Sequence, residues 1–167
     1  MKSEKIIISG PPSSGKTTII NELKKRGYTC MPEISPPNLD LKIKKNKLII
    51  SEFIFLKREE QYMNVKHQTC FYDRSLIDII AYMNLWEQEY PLIWNKKINQ
   101  LRYNQNVFYT PFWKKIYKQT SKRNETQEEA QEIDSFLRKT FLQYNYTITE
   151  VPKLNVSERV NFIINNI

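Results

Sequence analysis

Histidine, cysteine and long apolar runs are scarce in this chain of 167 residues. The two cysteines, Cys30 and Cys70, each lie in an apolar stretch, so neither a disulfide framework nor a cysteine-based metal site is expected. We expect both to be buried thiols in a reducing compartment. The single histidine, His67, stands in a polar stretch and is expected at the surface. Since no apolar run approaches the ~20 residues of a membrane-spanning helix, the sequence predicts a soluble, cytoplasmic protein without a transmembrane segment.

Acidic residues are missing from one long segment of an otherwise mixed chain. Between Tyr90 and Asn124 there is no Asp or Glu, and the whole chain carries a formal net charge of +8. The cations of this segment are Lys96, Lys97, Arg102, Lys114, Lys115, Lys118, Lys122 and Arg123. Such a basic stretch is either a solvated face or a surface that attracts phosphate groups. Charge alone leaves both interpretations open.

Composition and periodicity predict one α/β domain over residues 1–167. With 40% hydrophobic and 13% aromatic residues, the chain is too apolar to be intrinsically disordered. Short apolar segments predict strands at residues 5–9, 28–32, 69–72, 106–109 and 146–151. Segments of helical periodicity lie at residues 16–26, 41–64, 76–84, 91–103, 125–144 and 157–164, the last with Ser157 as its N-cap. This alternation predicts a parallel sheet with helices on both faces.

A glycine-bounded segment follows the first predicted strand and opens the first predicted helix. Gly10 and Gly15 bracket four residues, and Lys16 and Thr17 follow, which completes the phosphate-binding pattern G-x-x-x-x-G-K-[ST]. The glycines let backbone N–H groups point at phosphate oxygens, and Lys16 reaches the β- and γ-phosphates. The hydroxyl of Thr17 is a ligand for Mg²⁺. The residues predicted to bind ATP, or another nucleoside triphosphate, are Gly10, Pro11, Pro12, Ser13, Ser14, Gly15, Lys16, Thr17 and Thr18. We expect Lys16 to be exposed at the start of its helix.

Three further residues follow predicted strands at the same edge of the sheet, where ligands bind in such folds. Asp73 is a candidate for the metal shell beside Thr17, or alternatively the N-cap of the helix that follows it. Arg74 either contacts a phosphate or acceptor, or pairs with a carboxylate on the surface. Glu33 can orient or deprotonate an acceptor hydroxyl, or it is a simple loop carboxylate.

Three blocks of the sequence resemble a family of P-loop, kinase-like AAA-domain ATPases that includes the kinase domain of bacterial nicotinamide-riboside kinase and regulator proteins. They are GPPSSGKTTIINELKKRGYTCMPE, CFYDRSLIDIIAYMNL and VFYTPFWKKIYKQTSKRNETQEEAQEIDSFLRKTFLQYNYTITEVPK. The resemblance covers nearly the whole chain. It implies a five-stranded parallel sheet of the nucleoside-monophosphate-kinase type, with a basic lid over about residues 111–125. Ser13 departs from the glycine of many relatives, and Thr120 from their usual Asp.

The same resemblance implies roles by position. Lys16 and Thr17 would bind phosphate and Mg²⁺, Asp73 would belong to the metal shell, and Arg123 would contact the transferring phosphate. Glu33 and Arg74 would lie on the acceptor side. Lys153, with Pro152, would lie near the base of the nucleotide.

The leading functional hypothesis is a Mg²⁺-dependent kinase or ATPase that transfers the γ-phosphoryl group of ATP to a small acceptor or to water. The alternative is a slow nucleotide-dependent switch whose basic face engages a phospholipid or another polyanion. A nucleic-acid enzyme is least favoured, because no basic-aromatic recognition block is present. A Ras-type GTPase is disfavoured, because Asn95-Lys96-Lys97-Ile98 lacks the Asp of N-K-x-D.

Overall fold

The computed structural model describes residues 4–36, 46–66, 68–116 and 125–167. Within these ranges five strands form one sheet: β1 (Lys5–Ser9), β2 (Thr29–Met31), β3 (Cys70–Asp73), β4 (Asn106–Tyr109) and β5 (Thr147–Glu150). Their order across the sheet is β2-β3-β1-β4-β5, and every neighbouring pair is parallel. The predicted five-stranded parallel sheet is therefore confirmed.

Six α-helices of the described residues connect these strands. They are α1 (Lys16–Lys25), α2 (Lys47–Asn64), α3 (Leu76–Leu85), α4 (Ile93–Gln100), α5 (Gln127–Gln143) and α6 (Val156–Asn165), and a short 3₁₀ helix spans Lys114–Ile116. The N-cap predicted for α6 is wrong. Asn155, not Ser157, accepts from the N–H of Glu158, whose carboxylate accepts in return from the Asn155 N–H. This reciprocal pair closes a capping box two residues before the predicted cap.

Side-chain alternation along β1 separates two apolar cores, one on each face of the sheet. Ile6 and Ile8 pack with α1 and α6, whereas Ile7 packs with the helices of the opposite face, α2 to α5. Successive side chains of a strand point to opposite faces, so a continuous run of isoleucines can fill both cores. The helices consequently cover both faces, as predicted.

The register of the central strands brings the predicted site residues to one edge. Ile8 is paired with Asp73, and Ser9 with Tyr109, so β1, β3 and β4 end side by side. The loop that begins at Gly10 and the residues after Asp73 leave the sheet at this same edge.

The prediction that both cysteines are buried thiols is confirmed for one of them. Cys70 is buried as expected, whereas Cys30 is only half-buried, and both are free thiols. Burial raises the pKa of Cys30 to about 12 and that of Cys70 to about 11.

His67 lies outside the described residues. Across the described ranges, every helix is too short or too polar to cross a membrane.

Candidate functional site

The loop between β1 and α1 needs glycine at both ends. Gly10 has a φ of 147°, and a Cβ there would lie 2.2 Å from the carbonyl oxygen of Thr110. Gly15 has a φ of 89°, and a Cβ there would lie 2.4 Å from Nη1 of Arg159. A side chain is thus excluded at Gly10 by conformation and by the backbone of Thr110, and disfavoured at Gly15 by its positive φ. The two glycines let the backbone curl as a phosphate-binding loop requires.

Ser13, the residue that departs from the glycine of many relatives, has a φ of 58°. This is the left-handed region, which costs a non-glycine residue roughly 1–2 kcal/mol. The neighbouring Ser14 holds the loop through its hydroxyl, which donates to the Pro11 carbonyl at 2.8 Å and lies 2.6 Å from the Thr110 hydroxyl oxygen. The loop keeps the glycine-like conformation at Ser13 because its other residues fix it.

Lys16 begins α1 as predicted, but the expectation that it is exposed is wrong. Its side chain is only 5% exposed, because it folds back across the loop and its ammonium donates to the Pro11 carbonyl at 2.7 Å. Burial, together with the positive charge of Arg74, lowers the pKa of Lys16 to about 7 despite the nearby carboxylate of Asp73. The ammonium is thus held at the loop whose bound phosphates it is predicted to contact.

Thr17 and Asp73, the two predicted metal ligands, lie together. The Thr17 hydroxyl donates to Oδ2 of Asp73 at 3.4 Å. Asp73 is 3% exposed, and its Oδ1 has no hydrogen-bond partner among the described residues. Burial raises the pKa of Asp73. A buried carboxylate oxygen without a donor, beside a hydroxyl, fits a hard cation such as Mg²⁺.

The alternative role of Asp73 as a helix cap is wrong. The N-cap of α3 is Ser75, whose hydroxyl accepts from the Ile77 N–H, and Asp78 completes the capping box. Within the described ranges no three His, Cys, Asp or Glu side chains gather as a metal cluster. A Mg²⁺ ion here would therefore take one hydroxyl and one carboxylate from the protein, and its remaining ligands from phosphate and water.

Next to the loop lies a chain of buried charges that connects Glu33 to α2. Nε of Arg74 is 2.9 Å from Oε1 of Glu33, and its Nη1 is 3.5 Å from Oδ1 of Asp78. On its other side Asp78 lies 4.0 Å from Nη1 of Arg58. Arg74 pairs with carboxylates, as its alternative role predicted, but its own side chain is buried and not at the surface. It also has a φ of 73°, an uncommon conformation for a non-glycine residue.

Asp78 is the most enclosed member of this chain of charges, at 1% exposure. The backbone N–H and the hydroxyl of Ser75 donate to its Oδ2 at 2.7 and 2.8 Å, and the Ser9 hydroxyl donates to its Oδ1. Asp78 therefore joins the end of β1, the start of α3 and the two arginines.

Glu33 is 39% exposed and lies at the rim of the site. Partial burial alone would raise its pKa, but the positive charges of Arg74 and Lys16 outweigh this and lower the pKa of Glu33 to about 2. Glu33 is consequently an ionised carboxylate at neutral pH, able to accept a hydrogen bond from a hydroxyl.

A cavity of about 430 Å³ opens between the loop, α2 and α3. Its lining includes the charged side chains of Lys16, Glu33 and Arg74. The same lining has apolar and aromatic side chains, which include Ile50, Ile54, Ile79, Tyr82 and Trp86. The guanidinium of Arg74 stands 5.6 Å from the centre of the Tyr82 ring. The cavity thus combines charged groups beside the phosphate loop with flat, apolar side chains, and Arg74 and Tyr82 are neighbours in it.

A second cavity, of about 700 Å³, lies on the other side of the loop. It is lined by Ser13, Gly15, Thr18, Trp113, Lys115, Ile116, Leu154, Asn155, Val156 and Arg159. The loop therefore separates two cavities, one next to Glu33 and one next to Trp113. Lys153 is exposed and is not among the lining residues, whereas its neighbour Leu154 is.

A comparison with models of known protein families identifies the family of this chain. The model of a family described as "AAA domain" matches residues 5–159. The chain belongs to this AAA domain family. A comparison with curated proteins gave no match.

Solved structures similar to this AAA domain share its fold. A deoxyadenosine kinase from M. mycoides, with the products dCMP and dCDP bound, has a TM-score of 0.69 and 20% identity over 97% of each chain. YorR from Bacillus subtilis, in complex with phosphorylated GDP, has a TM-score of 0.66 and 16% identity over 97% of this chain and 94% of its own. Thymidylate kinase from Candida albicans has a TM-score of 0.59 and 16% identity over 99% and 91%. At these identities the likeness shows the fold alone.

Part of the predicted site lies beyond the described residues of the AAA domain. Residues 117–124 are not described, and the predicted lid is therefore described only at 111–116 and 125. The predicted phosphate contact Arg123, the variant position Thr120 and the cations Lys118 and Lys122 all fall in the undescribed part.

Several residues of the site were missed from the sequence. Arg58 is one arginine in a long helix, and Asp78 sits in the first turn of α3, where an acidic residue is ordinary. For Asp78 a signal existed, because Ser75 and Asp78 have the spacing of a capping box. Arg159 lies far from the loop in the sequence, and no local pattern links the two.

Proposed function

We propose that this AAA domain is a kinase that transfers the γ-phosphoryl group of ATP to a hydroxyl of a nucleoside-type acceptor that itself carries no phosphate. The observation that carries the proposal is the cavity of about 430 Å³, whose lining combines the phosphate-loop residues Pro12 and Lys16 with apolar and aromatic side chains. A pure nucleotide switch has no need of such a cavity, whereas a kinase needs one for its acceptor.

The donor side rests on the loop from Gly10 to Thr17. Its backbone N–H groups and Lys16 would hold the phosphates, and Thr17 with Asp73 would hold Mg²⁺. When bound, Mg²⁺ neutralises negative charge on the β- and γ-phosphate oxygens. The sequence adds Arg123 as a proposed contact of the transferring phosphate.

The acceptor side rests on Glu33 and Arg74. The ionised carboxylate of Glu33 takes the proton of the acceptor hydroxyl as the new oxygen–phosphorus bond forms and the bond from phosphorus to the β,γ-bridging oxygen breaks, which leaves ADP and a phosphorylated acceptor. Arg74 fixes Glu33 through the 2.9 Å ion pair. Transfer by positioning and charge, without a covalent intermediate on the enzyme, matches the chemistry of phosphoryl transfer.

Charge balance in the cavity favours an acceptor without a phosphate group. The described lining contains three cations, Lys16, Arg58 and Arg74, and three carboxylates, Glu33, Asp78 and Glu125. With Lys16 assigned to the donor phosphates, the described lining keeps two cations against three carboxylates, so among the described residues it has no excess positive charge for a second phosphate ester. The flat side chains of Tyr82 and Trp86 suit a base ring instead. Among the similar structures, the deoxyadenosine kinase with product dCMP is a neighbour that fits this acceptor class.

The test is ADP release from Mg-ATP in the presence of single candidate acceptors. The panel contains nucleosides, among them nicotinamide riboside because of the resemblance of the sequence, and the matching nucleoside monophosphates. We expect a nucleoside to stimulate ADP release, and Glu33→Gln to remove the stimulation while ATP binding persists. Glu60→Gln is the matched control, because Glu60 pairs with Lys57 on an exposed face of α2. Stimulation by monophosphates alone would contradict the acceptor class, and stimulation by neither class would contradict the kinase.

A further inference from the structure

Arg159 reaches the phosphate loop from the last helix of the chain. It is 4% exposed, and its Nη2 donates to the carbonyl oxygen of Ser14 at 3.0 Å. Val160 and Ile163 anchor α6 in the core that it shares with α1. The helix that carries the guanidinium is therefore held in place by core packing.

The contact fixes one peptide of the loop. The peptide between Ser14 and Gly15 is planar and trans, so its C=O and N–H bonds point in opposite directions. With the carbonyl held by Arg159, the N–H of Gly15 is directed away from Arg159. Because a glycine has little conformational preference of its own, an outside contact at the Ser14 carbonyl further restricts rotation of this peptide.

The position of Nη1 adds a second observation. It lies 2.4 Å from the point where a Cβ of Gly15 would be, so the guanidinium packs directly against the glycine. Arg159 also stands 5.8 Å from the centre of the Trp113 ring, and its Nε has no partner among the described residues. One buried positive charge thus lies against the loop on the side of the second cavity.

We infer that Arg159 is a positioning residue of the phosphate loop, which holds the Ser14–Gly15 peptide so that the Gly15 N–H faces the bound phosphate. This inference rests on the nucleotide binding in the proposed function, but not on the proposed acceptor.

The test compares the binding of Mg-ATP and of inorganic triphosphate to the full chain and its variants by calorimetry. Arg159→Met should weaken both ligands roughly ten-fold or more, the size of one hydrogen bond that involves a charged group. Arg159→Lys retains one donor and the charge, so it should recover part of this loss for both ligands. The matched control is Arg26→Met, because Arg26 also links α1 to α6, through Ser157 and Asn161, without contact to the loop. It should leave both affinities unchanged.

Three results would overturn the inference. Unchanged affinity in Arg159→Met shows that the loop needs no support from α6. A loss for ATP with unchanged affinity for inorganic triphosphate shows that Arg159 contacts the base and not the loop. If Arg159→Met does not fold, Arg159→Lys decides, and wild-type affinity in that variant contradicts the inference. A wild-type protein that binds neither ligand refutes the proposed function as well, so the two failures are distinguishable.

Discussion

The protonation of Lys16 gives the most quantitative prediction. In the free protein the pKa of Lys16 is about 7, because burial and the charge of Arg74 disfavour its ammonium form. A bound triphosphate requires that ammonium, so binding above neutral pH must be accompanied by proton uptake. With a pKa of about 7, roughly half of the free molecules carry the proton at pH 7 and about a tenth at pH 8. Affinity for Mg-ATP should therefore fall about five-fold over that unit and about ten-fold over the next one.

The measurement is calorimetric titration with Mg-ATP at about pH 8 in buffers of different ionisation enthalpy, which reports the protons taken up. We expect about 0.9 proton per bound nucleotide, from the fraction of Lys16 that is neutral at that pH. Lys16→Arg is the control, because its guanidinium stays charged and its titration reports only the ionisation of the ligand and of other groups. Uptake as small in the wild type as in Lys16→Arg would refute the reasoning.

The remaining predictions concern the metal, the loop and the acceptor carboxylate. Asp73→Asn should keep nucleotide affinity but lower Mg²⁺-dependent turnover roughly ten- to a hundred-fold; equal turnover per folded molecule, checked by thermal melting, would contradict a metal role. Gly10→Ala places a Cβ 2.2 Å from a backbone oxygen and should abolish ATP binding or folding. The control is Gly27→Ala, whose Cβ would meet nothing within 4 Å, so its positive φ alone should lower the free energy of unfolding by about 1 kcal/mol. Arg74→Met removes the main charge that lowers the pKa of Glu33, so the acidic limb of the rate profile should move to higher pH; an unmoved limb would show that Glu33 is not the base.

The sheet and the loop could be predicted because their signals are local. A strand of consecutive isoleucines followed by Gly10 to Thr17 fixes strand, turn and helix within a short segment, and the structure has β1 and α1 there. Thr17 and Asp73 could be placed together because β1, which leads into the loop before Thr17, and β3, which ends at Asp73, end at one edge of the sheet. Here the topology of a parallel sheet converts sequence position into proximity.

The supporting residues could not be predicted, because their roles depend on distant partners. Arg58 meets Asp78 only after α2 folds against α3, and Arg159 meets Ser14 across almost the whole chain. The burial of Lys16 was likewise missed, since a lysine at a helix start is exposed in most contexts. Its burial follows from the loop that encloses it and not from the helix that it begins.

The buried charges of the proposed acceptor side argue for a site whose geometry is fixed before substrates bind. Burying Arg58, Arg74 and Asp78 costs desolvation energy, and apolar residues of similar size would often be as stable. The buried charges instead fix the positions of the side chains around the site. Asp78 accepts a hydrogen bond from the hydroxyl of Ser9 at the end of β1. It also lies 3.5 Å from Nη1 of Arg74, whose Nε forms the ion pair with Glu33. The carboxylate proposed to accept the proton is therefore tied, through two side chains, to the strand from which the phosphate loop starts. A phosphoryl transfer in which the protein acts by placing groups rather than by forming bonds gains most from such a connection.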